Sequence, residues 1–84
     1  MDYKNGHHIT AKEIRDAFRI SYSKINHYTN LGLFPIASKN GNKRLYDRQK
    51  VEDRFQSISK LVNEGYPLRL IRRKLIGAEG DELL

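Results

Sequence analysis

The sequence predicts a mainly α fold: four helices in one small domain, with a two-stranded β-hairpin between the second and third. Three observations predict it. Apolar residues recur at helical spacing in four stretches, each bounded by capping residues, glycine or proline. Between the second and third stretches the period changes, and Asn40-Gly41, the strongest short-range hairpin signal, divides two short alternating runs. At 84 residues the chain suffices for one such domain and not for two.

Residues 1–8 are polar, contain Gly6 and show no period, so a flexible N-terminal arm is expected there. Thr10-Ala11-Lys12-Glu13 fits a capping box: the Thr10 hydroxyl accepts from the backbone N–H of Glu13, and the Glu13 carboxylate accepts from that of Thr10. The first helix therefore starts at Ala11, with Ile14, Ala17 and Phe18 as its apolar stripe. Arg19-Ile20-Ser21 forms the turn, with Ile20 between the helices and Ser21 capping the second. The second helix runs from Tyr22 to Leu31 and turns Ile25, Tyr28 and Leu31 inward. Its outward face is Tyr22, Ser23, Lys24, Asn26 and His27, rich in hydrogen-bonding groups. Gly32 ends it and Pro35 forbids its resumption.

Ile36-Ala37-Ser38-Lys39, the turn Asn40-Gly41-Asn42, and Lys43-Arg44-Leu45-Tyr46 make the hairpin. Alternation puts Leu45 on one face and Arg44 with Tyr46 on the other. Asp47 caps a third helix from Arg48 to Glu64, whose stripe is Val51, Phe55, Ile58, Leu61 and Val62. Gly65 stops that helix, and Pro67 suits the first turn of a fourth, in which Leu68, Ile71 and Leu75 face inward. The domain is expected to span 9–76, and 77–84 to form an acidic tail or truncated linker.

Sixteen Lys and Arg stand against ten Asp and Glu, a net charge of +6, while only 38% of residues are hydrophobic. A small domain so basic favours polyanionic partners, nucleic acid before an anionic membrane surface. The chain has no cysteine, which excludes a disulfide frame, a thiolate metal site and a thiol nucleophile. No run approaches the roughly 18 apolar residues of a membrane span, nor does the start carry a signal-peptide core. A cytoplasmic, nucleoid-associated location is expected. His7, His8 and His27 lack metal-ligand spacing, and there is no phosphate loop, carboxylate pair or nucleophile–base arrangement. No catalytic residue, metal or cofactor is expected, and the chain is not expected to be an enzyme.

In order and spacing, these pieces resemble the winged helix-turn-helix DNA-binding domain of the MerR family of bacterial transcription regulators. Ile25-Asn26-His27-Tyr28-Thr29-Asn30-Leu31-Gly32-Leu33-Phe34-Pro35 is similar to the family's run of apolar, Arg, Tyr, Tyr, Glu, two variable positions, Gly, Leu, Leu, Pro. Arg44-Leu45-Tyr46 matches the family's wing end, and Glu64-Gly65-Tyr66-Pro67-Leu68 with Ile71 its Gly-aromatic element. Two departures stand out. Asn26-His27-Tyr28-Thr29 replaces Arg-Tyr-Tyr-Glu, and Arg19 occupies the usual Gly of the first turn. The chain also stops where typical members continue into a dimerising helix and an effector-binding segment. It reads as the DNA-binding part of a longer regulator or as a small stand-alone member.

The resemblance implies double-stranded DNA as partner, with the second helix in the major groove and the hairpin as a wing on the backbone. Tyr22, Ser23, Lys24, Asn26 and His27 are the base-reading candidates. Asn can pair with adenine through two bonds and Lys can donate to guanine. Ser21, Tyr28, Lys39, Lys43, Arg44, Tyr46, Arg69 and Arg72 are the backbone candidates, Tyr28 chiefly a core residue whose hydroxyl reaches a phosphate. Each has a plainer reading: a solvated helix face, packing for Tyr22, and edge-strand charges that deter aggregation for the hairpin cations. A homodimer, on DNA or through a segment absent here, and a protein partner such as an antirepressor or polymerase subunit are further expectations. Two other roles stay open: an accessory architectural DNA-binding protein, such as a phage excisionase or packaging factor, and a module that docks an acidic protein.

Overall fold

The computed structural model describes residues 8–77. In chain order they form β1 (His8–Thr10), α1 (Ala11–Phe18), α2 (Tyr22–Asn30), β2 (Ile36–Asn40), β3 (Lys43–Asp47), α3 (Arg48–Asn63) and α4 (Leu68–Ile76). The mainly α, winged helix-turn-helix architecture is as expected, with one addition. The hairpin is joined by β1 into a three-stranded antiparallel sheet of order β1-β3-β2. His8 pairs with Asp47, so the expected arm loses its last residue to the sheet. The remainder of that arm, 1–7, and the tail from 78 to 84 lie outside the described residues.

Local chemistry accounts for the helix ends. The Thr10 hydroxyl accepts from Glu13 N at 3.1 Å and the Glu13 carboxylate from Thr10 N at 2.8 Å, completing the capping box. α1 ends on Arg19 in the left-handed region, at φ 58°, where a side chain is disfavoured by about 1–2 kcal/mol. Ser21 and Asp47 cap α2 and α3 through bonds from Lys24 N and Lys50 N. Pro67 lies one residue outside α4 as its N-cap, not in its first turn, and its carbonyl accepts from Leu70 N and Ile71 N. The hairpin closes through Gly41 and Asn42 between paired Asn40 and Lys43, with Gly41 at φ 66°. Glycine at the first central position suits a type II′ turn.

α2 closes with a Schellman pair: Leu33 N bonds Tyr28 O at 2.9 Å, and Gly32 N bonds Thr29 O at 3.0 Å. Gly32 sits at φ 82°, and a Cβ there would lie 3.3 Å from Ile76 Cδ1. Both the conformation and the contact oppose a side chain. Gly32→Ala is accordingly expected to lower stability by about 1–2 kcal/mol, read as a shift in the urea midpoint without a change in slope.

The core gathers side chains from every element except β2, whose residues are all exposed: Ile9, Ile14, Ile25, Tyr28, Leu33, Phe34, Tyr46, Val51, Ile58 and Ile71 are buried. Phe34 stands edge-on to Tyr28 at 5.2 Å and to Tyr46 at 6.4 Å, while Phe18 stacks on Phe55 at 5.0 Å. Ile20 packs against this core from the turn, as expected. Two stripe residues depart from expectation. Ala17 is exposed, because two turns of α1 bury only Ile14 fully. Val62 is 52% exposed at the rim of an open groove of about 320 Å³ between α2 and α3, which Lys24, Phe55 and Ile58 also line.

Candidate nucleic-acid interface

α2 carries Ile25 and Tyr28 inward, and its opposite side is open: Tyr22, Ser23, Lys24, Asn26 and His27 are all exposed. A nine-residue helix with two buried positions leaves this polar face without apolar cover. Ser21 accepts from Lys24 N at 3.1 Å, which leaves its hydroxyl proton to donate outward. Tyr22 is 44% exposed, and the Arg15 guanidinium lies 4.9 Å from its ring centroid while holding Asp16 at 3.0 Å. The ring is thereby steadied at the start of the helix.

The hairpin stands beside α2. Lys39 and Lys43 are exposed on it, Arg44 is half-buried, and an Arg44 Nη2 donates to Asn26 Oδ1 across the gap. A cleft of about 280 Å³ opens between the hairpin end and the starts of α1 and α2, lined by Lys12, Lys43, Arg44, Asn42 and Tyr22 among others. Three cations around one cleft concentrate positive potential where a strand passing between helix and wing would lie. Lys12 was not singled out from the sequence, where it is only a residue within the capping box.

One expected backbone contact is corrected. Tyr46 is fully buried, so it offers no atom to a phosphate. The face of β3 bearing Arg44 and Tyr46 is the one that leans on the helices, because Tyr46 sits in a row between Ile9 of β1 and Ile36 of β2. A register shift between Ile36 and Ser38 interrupts the simple alternation. Arg72 is turned inward on the domain: its Nε donates to Leu31 O at 2.7 Å, at the C-terminal end of α2. Arg54 does similar work there, donating to Leu33 O at 3.2 Å and Gly32 O at 3.4 Å. The two guanidiniums satisfy carbonyls at the negative end of the helix dipole and fix the loop into β2. Neither role was legible from spacing, since the partners are about forty and twenty residues away.

Tyr28 is 6% exposed, its ring in the core as expected. Burial pushes its phenol above the ordinary value, which keeps the hydroxyl protonated and a donor. Arg69 is exposed on the first turn of α4. Among the described residues there is no group of three or more His, Cys, Asp or Glu able to hold a metal ion, and no helix long and apolar enough to cross a membrane.

A family model described as MerR HTH family regulatory protein matches residues 9–77. The chain belongs to the MerR family. No curated protein and no solved structure matches it. As a MerR-family domain it is a DNA-binding, helix-turn-helix component of transcription regulation, the role that the family description and the exposed second helix share. Its departures from the family pattern have structural consequences. Thr29, at the usual Glu, donates to Ile25 O at 2.7 Å and meets the Tyr46 hydroxyl at 2.8 Å. A threonine hydroxyl has one proton, so Tyr46 is the donor in that pair. Asn26, at the usual Arg, receives its guanidinium from the wing instead.

Proposed function

We propose that this domain binds double-stranded DNA at selected sites, with α2 lying in the major groove and the hairpin along the neighbouring backbone. Tyr22, Ser23, Lys24, Asn26 and His27 face the base edges. Ser21, Lys12, Lys39 and Lys43 take phosphates on the hairpin side and Arg69 on the α4 side. The observation that carries the reading is the exposure of all five outward side chains of α2 beside a cation-lined cleft. A helix fits the major groove, where each base pair presents a distinct pattern of donors and acceptors. Cations on either side set register without reading sequence. Such a short helix supports modest affinity, and a second copy about one helical turn or a multiple along the duplex would sharpen selection.

A mutant series divided by role tests this. Lys39→Ala and Lys43→Ala are expected to weaken binding to chosen and random duplexes alike and to reduce the salt slope by about 0.9 each. Lys24→Ala is expected to relax preference at particular base pairs, each good contact being worth about 1–3 kcal/mol of discrimination. Direct readout fails if all three variants affect specific and random DNA to the same extent in anisotropy titrations.

A further inference from the structure

Two bonds tie the wing to α2. Arg44 and Tyr46 lie two residues apart on one face of β3, and Asn26 and Thr29 lie three apart on one side of α2. Arg44 Nη2 donates to Asn26 Oδ1, and Tyr46 pairs with Thr29 at 2.8 Å, two rungs of one ladder. The Arg44 guanidinium also lies 5.8 Å from the Tyr46 ring centroid, over a ring that is itself fully buried. The guanidinium is thus held by the strand it grows from, by the ring and by Asn26.

An asparagine side chain has an acceptor end and a donor end, and rotation by half a turn exchanges them. A guanidinium has donors only, so it admits just one of the two orientations: Oδ1 toward Arg44, Nδ2 away. From this geometry we infer that Arg44 is a positioning residue for base selection, fixing the Asn26 amide so that its NH2 is what meets the DNA. The inference rests on the proposed placement of α2 in the major groove.

A donor held outward selects acceptors. In the major groove these are guanine N7 and O6, adenine N7 and thymine O4, while cytosine offers only the N4 donor. Oδ1 keeps a second lone pair after accepting from Arg44, so the two-bond adenine contact stays open and uses the same outward NH2 on N7. Asn26 therefore favours a purine, whose N7 takes the fixed NH2, and rejects cytosine. Arg44 sets that preference without touching a base. This differs from the uniform grip expected of the wing cations Lys39 and Lys43.

The test is selection from a pool of randomised double-stranded oligonucleotides by the full chain and its variants, followed by titration of the selected duplex and its single-base changes. Asn26→Ala and Arg44→Ala are expected to lose preference at the same base position, each by about tenfold or more, and the double variant to lose no more than either alone. Lys43→Ala is expected to keep that preference. Asn26→Asp keeps an acceptor for Arg44 but removes the donor, so the same position is expected to turn toward cytosine. That variant tests the inference even if Arg44→Ala does not fold. The inference is overturned if Arg44→Ala lowers affinity for every duplex by one factor with the selected motif intact, or if Asn26→Asp loses binding without changing the preferred base. Failure of the wild-type chain to select any motif would overturn both this inference and the proposed site-selective binding, whereas an intact motif indifferent to Arg44 overturns this inference alone.

Discussion

Phe34→Ala is expected to lower stability by about 3–5 kcal/mol, the largest loss from any single truncation considered for this domain. Phe34 has no exposed surface and stands edge-on to both Tyr28 and Tyr46, so its removal leaves a cavity flanked by two aromatic faces. Such pairs add about 0.5–1.5 kcal/mol beyond the area they bury. Relaxation is limited on each side. Tyr46 is held by Thr29, and Tyr28 belongs to a helix whose end is fastened through Leu33 and Gly32. A chain of 84 residues has roughly 4–13 kcal/mol of total stability, so the loss is a large fraction of the whole. A thermal melt should show a midpoint lower by at least about 12 °C. Leu70→Ala, at a side chain 38% exposed, is the comparison and should remove much less. A loss below about 1 kcal/mol at Phe34 would mean that the ring does not hold the sheet to the helices.

Raising salt from 50 to 200 mM is expected to weaken binding to any duplex by about 150-fold. The figure follows from about four phosphate contacts, Lys12, Lys39, Lys43 and Arg69, at a slope of about −0.9 each. Because the term is independent of sequence, selected and random duplexes should fall together. Lys12→Ala is the sharpest single check, since only the cleft beside the wing implicates that residue. It should flatten the slope by about 0.9 and leave base preference unchanged. An unaltered slope would place the DNA backbone away from that cleft. Arg72→Ala is expected to behave differently, because its guanidinium serves Leu31 O. It should lower the melting midpoint before it alters the salt slope.

Much of this architecture was legible in the residues. All four helices, the hairpin with its turn at Gly41, the capping roles of Thr10, Ser21 and Asp47, and the glycine stops at Gly32 and Gly65 follow from interactions within a few positions of the chain. The outward face of α2 was legible for the same reason, because helical spacing alone separates Ile25 and Tyr28 from Lys24, Asn26 and His27.

What spacing could not decide was which groups find each other across the fold. Three residues of β1 are too short a run to show a strand period, yet their pairing with β3 puts Tyr46 in the core and removes it from the DNA-facing set. Arg72 and Arg54 have the same charge as Lys39 and Lys43, and only the approach of the α2 terminus turns two of the four toward carbonyls. The amide of Asn26 likewise has no preferred direction of its own until Arg44 reaches it. Local propensity and capping act over one helical turn and are written into neighbouring residues. Burial and the pairing of polar groups depend on contacts between residues far apart in the chain, so only the assembled tertiary structure assigned each cation and each aromatic its part.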